Sequence, residues 1–202
     1  MKIIGLCGGS GSGKGEVSKC FENRGIPSLD TDALYHSMIS TDSDCSNEIY
    51  NAFGDSVLQG ADIKNGIDRK RLAELVFSDK SGARLKKLNS ITHKFILDGC
   101  RSWLKAKEKD GCSAAIIDAP LLFESGFNKE CDVIICVKAD EDARIARILK
   151  RDNATQEMAV ARVRSQVDND FLERNSDYII KNSSTIDELD LQVEKICRLI
   201  TK

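Results

Sequence analysis

The sequence predicts an α/β protein built on a five-stranded parallel sheet flanked by helices. Three observations predict it: five short apolar runs that each close on a turn or helix, helical apolar spacing between them, and a glycine-rich loop, GGSGSGKG at 8–15, directly after the first run.

The first run is KIIGLC, ahead of the glycine loop, and the second is IPSL, ahead of Asp30. AAIID precedes Ala119-Pro120, VIICV precedes Lys138, and YIIK precedes Asn182. From Asp32 to Cys112 the spacing is helical, with Leu85, Leu88, Ile91 and Phe95 at three- and four-residue steps and apolar residues continuing to Trp103 and Leu104; that length exceeds a simple crossover. The expectation is one unit with a core at about 1–33, 112–139 and 176–202, a helical insertion at about 34–111 and a lid at about 140–175. Within the lid, Asp140 to Gln166 is helical and charged, with Arg144, Arg147 and Arg151 on one face and Thr155 placed to cap a second helix. Leu189, Val193, Ile196 and Ile200 mark a closing helix that covers the sheet.

Composition narrows the function classes. With 41% hydrophobic and 31% charged residues and a formal net charge of -2, the 202-residue chain has no bulk attraction for nucleic acid or an anionic membrane. No apolar run approaches the ~20 residues a membrane helix needs. Eight scattered cysteines, without C-x-x-C and without a signal peptide, predict reduced thiols in the cytoplasm and no structural metal. No obligate protein partner is evident, so the expected partners are small molecules.

The loop fits G-x-x-x-x-G-K with Gly8, Gly13 and Lys14, but Gly15 stands where Ser or Thr is expected. Without Cβ atoms, successive backbone N–H groups can turn inward around a phosphate, and the following helix aims its positive end at the same point. Gly9, Ser10, Gly11, Ser12, Gly13, Lys14, Gly15 and Glu16 are the expected nucleotide-binding stretch, with Lys14 reaching the outer phosphates and Glu16 pointing off the first helical turn. The hydroxyl missing at Gly15 normally touches Mg²⁺. Adenylate kinases, whose loop also reads G-K-G, manage without it, and Mg²⁺ can be held through its own waters by carboxylates, with Asp118 and Asp32 as candidates.

Asp30 and Asp32, in LDTD, are expected on one side of an extended chain, one as general base for a substrate hydroxyl and the other as a positioning or capping group. Asp118 closes an apolar run, the pattern that places Mg²⁺ in phosphate-loop proteins. The arginines of the lid would bring planar cations over a transferring phosphoryl group. His93 lies in an amphipathic run, where a lone histidine is more often structural.

These pieces resemble the dephospho-CoA kinases nearly end to end. The residues that carry the resemblance are GLCGGSGSGKG, GIPSLDTD, IDRKRLAELVF, LNSITHKFI, DAPLLFESGF, RILKRDNAT, VRSQ and SDYIIKNSS, in that order. The resemblance implies a P-loop kinase fold with a helical substrate-binding insertion and a lid. It implies that ATP, with Mg²⁺, donates its γ-phosphate to the ribose 3′-hydroxyl of dephospho-CoA, the final step of coenzyme A biosynthesis. By the same resemblance Asp32 is the base, Lys14 and Arg147 stabilise the transferring group, Arg69, His93 and Leu121 contact the acceptor, and Asn182 lies near the adenine. The chain departs from the family pattern at Cys7, Ser10, Gly15 and Lys94, and in KNSS where Asn-Asn-Gly is usual.

Three rivals share parts of the motif set. A nucleoside or nucleotide kinase would use a similar aspartate pair and lid. A GTP-dependent switch would need N-K-x-D after a strand, and the nearest match, NKEC at 128–131, lacks the aspartate and precedes its strand. A binder that has lost transfer through Gly15 would not need Asp32, Lys14 and Arg147 together.

Overall fold

Lys2–Cys7 form β1, the middle strand of a five-stranded parallel sheet ordered β2-β3-β1-β4-β5, where β2 is Ser28–Asp30, β3 Ala114–Asp118, β4 Val133–Lys138 and β5 Tyr178–Lys181. The computed structural model describes residues 1–164, 169–183 and 185–200. All five expected strands are present. β3 is buried along its whole length, which is why it is apolar from Ala114 to Ile117 rather than alternating, before it closes on Asp118.

The chain forms two compact units, Met1–Asp30 with Trp103–Lys202, and Thr31–Ser102. In the first unit, α1 (Lys14–Glu22) and the closing helix α9 (Ile186–Ile200) pack on one face of the sheet. Val17 and Phe21 of α1 and Leu189, Val193 and Ile196 of α9 meet Ile4 and Leu6 of β1, Ile135 of β4 and Ile180 of β5. Phe21 is fully enclosed, and burial of a side chain of that size contributes about 1.5–3 kcal/mol. On the opposite face of β1, Gly5 leaves no room for a side chain: a Cβ there would lie 2.8 Å from Leu122 Cδ2 and 2.9 Å from Cys131 Sγ. Arg24 ties α1 to α9 through a two-pronged contact with Asp190, each N–O distance 2.6 Å.

The second unit is helical, with α2 (Thr31–Ile39), α3 (Asp44–Phe53), α4 (Arg69–Phe77) and α5 (Ala83–Lys109), which runs on into the first unit. Ser43 and Ser46 form a reciprocal cap at the start of α3, and Asp68 accepts from the Lys70 and Arg71 backbone N–H groups at the start of α4. Ile39, Ile49, Val57, Leu72 and Val76 form its core, and Leu88, Ile91 and Phe95 of α5 pack against it. The periodicity read from the sequence therefore marks the face of α5 that packs inward, with Leu85 at 36% exposure on its margin.

After β4, α6 (Glu141–Asp152) and α7 (Gln156–Arg164) pack through Ile145, Ile148, Ala159 and Val163. Asn153, in left-handed backbone with φ 49°, ends α6, and the Thr155 hydroxyl accepts from Met158 N–H to start α7. A short helix, α8 (Asn169–Arg174), precedes β5. All eight cysteines are free thiols, with only Cys112 and Cys131 partly exposed. Among the described residues, no helix is long and apolar enough to cross a membrane.

Candidate functional site

The site is built where β1 ends and α1 begins. Gly13, at φ 91° and ψ 29°, is the residue before the first turn of α1, and it has no space for a side chain: a Cβ would lie 2.0 Å from Asn182 Nδ2. Glu16 and Val17 donate their N–H groups back to the Gly13 carbonyl, and Ser12 donates to Gly9. The N–H groups of Lys14 and Gly15 belong to the first turn, which has no carbonyl one turn earlier to take them. Together with the positive end of α1 they make an anion-binding hollow.

The outward carbonyls of the loop are taken by side chains from elsewhere in the unit. Arg144 Nε donates to Ser10 O at 3.0 Å, and Arg147 donates to Gly11 O at 3.1 Å and to Ser12 O at 3.2 Å. Asn182, directly after β5, donates from Nδ2 to Ser12 O at 2.9 Å and accepts from Arg147 at its own backbone carbonyl, also at 2.9 Å. Burial lowers the pKa of Arg144 from its usual value, while Glu141 raises it.

Lys14 lies over the loop, its Nζ 3.3 Å from Gly8 O and 3.8 Å from Asp118 Oδ1. Asp118 closes β3 and is Cα partner of Leu6 in β1 and of Asp30 in β2, so the sheet register brings a carboxylate, the loop lysine and the end of β2 to one edge. The Ser12 hydroxyl is enclosed in the loop without a hydrogen bond among the described residues. Cys7, at the last position of β1, sits opposite Cys136 of β4. A hydrogen bond with Cys136 holds the Cys7 thiol below its usual value against the opposing effect of burial, and Ser176 and Lys14 act in the same direction.

The remaining expected residues fall in three places. Glu16 is exposed and pairs with Lys19 at 2.9 Å, away from the hollow. Leu121, in the turn after β3, is 48% exposed. Asp32, Arg69 and His93 belong to the second unit. Asp30 is the last residue of β2, but the helix begins at Thr31, so Asp32 sits in the first turn of α2 and not on an extended chain beside Asp30. Both carboxylates are exposed. Arg69, the first residue of α4, lines a cavity of about 720 Å³ inside the second unit together with Tyr35, His36, Lys70, Phe77 and Leu88. His93, half-buried on α5, is not on its wall. Burial pushes the Tyr35 phenol up to about 12, so it stays neutral on that wall. Sequence reasoning missed this cavity and the buried contacts of Arg144; the three-residue step from Arg144 to Arg147 was the available signal. Ser165 and Gln166 of VRSQ, and Ser184 of KNSS, lie outside the described residues.

No group of three or more His, Cys, Asp or Glu among the described residues is placed to hold a metal ion. The donor set suits a polyphosphate: backbone N–H groups, one lysine and one helix N-terminus, with a single carboxylate, Asp118, beside them.

A family model described as dephospho-CoA kinase matches residues 2–188. A Fusobacterium nucleatum protein named dephospho-CoA kinase is 38% identical over 201 residues, covering 99% of each chain. A solved structure from Thermus thermophilus is similar with a TM-score of 0.81 at 27% identity, covering 100% of this chain and 98% of that one. The structure of dephospho-CoA kinase from Campylobacter jejuni is similar with a TM-score of 0.72 at 25% identity, over 100% and 98% of the two chains.

Proposed function

The chain belongs to the dephospho-CoA kinase family, and from that premise we propose that it transfers the γ-phosphoryl group of ATP to the ribose 3′-hydroxyl of dephospho-CoA, giving CoA and ADP in the cytoplasm. One observation carries the reading: the likeness extends over both compact units, the helical one included, and not over the phosphate loop alone. A nucleoside kinase would share the loop without sharing the insertion.

Phosphoryl transfer asks a protein for alignment and charge stabilisation more than for covalent chemistry. The loop from Gly9 to Gly15 and the first turn of α1 hold the phosphates of ATP. Lys14 neutralises the outer phosphates. Asp32 takes the proton from the acceptor hydroxyl as its oxygen attacks the γ-phosphorus and the bond to the β-phosphate oxygen breaks. Arg147, bonded to the loop from behind, adds positive charge close to the transferring group, and Asn182 lies toward the adenine. Arg69, His93 and Leu121 contact the acceptor. Mg²⁺, bound with ATP, supplies charge neutralisation across the phosphates. Asp118 would hold it through water, since Gly15 offers no hydroxyl.

Gly15 tests that last point. It is exposed, in ordinary helical backbone, and a Cβ there meets nothing within 4 Å. Gly15→Ser is expected to keep or raise the melting temperature, because serine is about 0.5 kcal/mol better than glycine inside a helix. It should also raise the rate at limiting Mg²⁺ while leaving the rate at saturating Mg²⁺ unchanged. An unchanged Mg²⁺ dependence would mean that the position does not face the metal.

The function itself is tested by ADP release in a coupled assay with Mg-ATP and, in turn, dephospho-CoA, adenosine, AMP or no acceptor. Release that depends on dephospho-CoA is expected, and release that follows AMP or adenosine would replace this reading with a nucleotide or nucleoside kinase.

A further inference from the structure

Arg144 has no part in the reading above, yet its contacts with the phosphate loop are specific. The residue is 3% exposed, and taking a guanidinium out of water is costly unless its donors are used. Its Nε–H goes to the Ser10 carbonyl at 3.0 Å. Its backbone lies against Gly11, where an added Cβ would sit 2.5 Å from Arg144 O and 2.9 Å from Arg144 Cα. Gly11 itself is in left-handed backbone, with φ 78°.

A consequence follows from the planarity of the peptide group. No peptide bond of the described residues is cis, so the N–H of each residue points opposite to the carbonyl before it. With the Ser10 carbonyl drawn to Arg144, the Gly11 N–H is turned the other way, into the loop. The Ser12 carbonyl, drawn to Arg147 and Asn182, turns the Gly13 N–H inward in the same manner. The intervening Ser12 N–H is already used by Gly9 O. The loop thus presents alternate N–H groups, and each is aimed by a side chain on its outer side.

We propose that Arg144 is a positioning residue for the phosphate loop, which by holding the Ser10 carbonyl outward and seating its own backbone against Gly11 keeps the Gly11 N–H directed at a phosphate of the bound nucleotide. It acts from the first turns of α6, so the helix that leads into α7 is fastened to the nucleotide site at its start. The inference rests on ATP being the ligand of the loop.

The test compares wild type, Arg144→Met and Arg144→Lys by calorimetric titration with ADP and by the KM values for ATP and dephospho-CoA. Wild type that fails to bind ADP would overturn the ligand assignment itself, which separates that failure from a failure of Arg144. Given wild-type binding, Arg144→Met is expected to weaken ADP about 10-fold, the worth of one charge-assisted hydrogen bond, and to raise KM for ATP with KM for dephospho-CoA unchanged. Arg144→Lys keeps the charge and a donor within reach of Ser10 O, and is expected to recover most of that loss, to within about 3-fold of wild type. A folded Arg144→Met that binds ADP as wild type does, or that shifts both KM values equally, would overturn the proposal. If Arg144→Met does not fold, Arg144→Lys decides: ADP affinity within about 3-fold of wild type with KM for dephospho-CoA unchanged upholds the role, and a larger loss, or one shared by both substrates, assigns Arg144 to the fold alone.

Discussion

Asp32→Asn is expected to lower kcat by about 10²- to 10⁴-fold while ADP affinity and both KM values stay near wild type. The range is the usual contribution of a positioned general base. Asparagine keeps the shape of the side chain and removes only its ability to take a proton. Asp32 is exposed in the first turn of α2, where a negative charge complements the helix dipole, so the fold should lose no more than about 1 kcal/mol. That loss is too small to account for the rate. Asp30→Asn is the matched control: it removes a carboxylate two residues away, also exposed, at the end of β2, and is expected to leave kcat within about 10-fold of wild type, well short of a base's contribution. Stopped-quench measurement of a single turnover, with nucleotide affinity measured beside it, separates the chemical step from binding. Unchanged turnover in Asp32→Asn, or a larger loss in Asp30→Asn, would remove Asp32 from its role.

Lys14→Met has the second large effect, and it acts on binding and rate together. Methionine fills nearly the same volume, so the partly buried side chain is replaced without a cavity. The ammonium group lost stands 3.8 Å from Asp118 Oδ1. Its removal deletes positive charge from the outer phosphates and from beside the Asp118 carboxylate. Loss of a single preorganised electrostatic contact costs about 10²- to 10³-fold in rate, and the nearby like charge of Asp118 should weaken ATP as well. The expected result is a folded protein, with kcat/KM for ATP down by more than kcat alone. A variant that binds and turns over ATP normally would mean that the loop holds phosphate without its lysine.

The parts of the fold that were legible are those dictated by burial and local geometry. Stretches of strand covered on both sides must be apolar, and Ala114–Ile117 of β3 and Ile135–Val137 of β4 are. A loop needing left-handed backbone at Gly11 and Gly13 must be glycine there, and the motif announces it. Other features depend on where one element stops, which local pattern does not carry. Asp30 and Asp32 look alike on an extended chain, but the strand ends between them. The second unit ends at Ser102 inside the continuous helix α5, which runs through without proline, and the nearby Gly99 does not break it.

The lid arginines show the same division. Helical spacing puts Arg144, Arg147 and Arg151 on one face, and the first two do reach the loop. Arg151 lies four residues, roughly 6 Å, further along the axis. It pairs instead with Asp152 at 2.6 Å, which Arg162 of α7 also contacts. Face could be read from the sequence, but distance along the helix to a partner in the phosphate loop could not. For the same reason Arg147 was expected as a group that arrives with a moving lid, whereas its guanidinium is already bonded to the Gly11, Ser12 and Asn182 carbonyls.

The most direct test of the account is to identify the product. The protein would be incubated with Mg-ATP and dephospho-CoA, and the acceptor recovered for mass spectrometry and ³¹P NMR. The account predicts that one phosphoryl group is gained per ADP formed, with the new phosphorus resonance coupled to the ribose 3′-proton. ADP formed without a phosphorylated acceptor, or a phosphate carried at any other position, would contradict it.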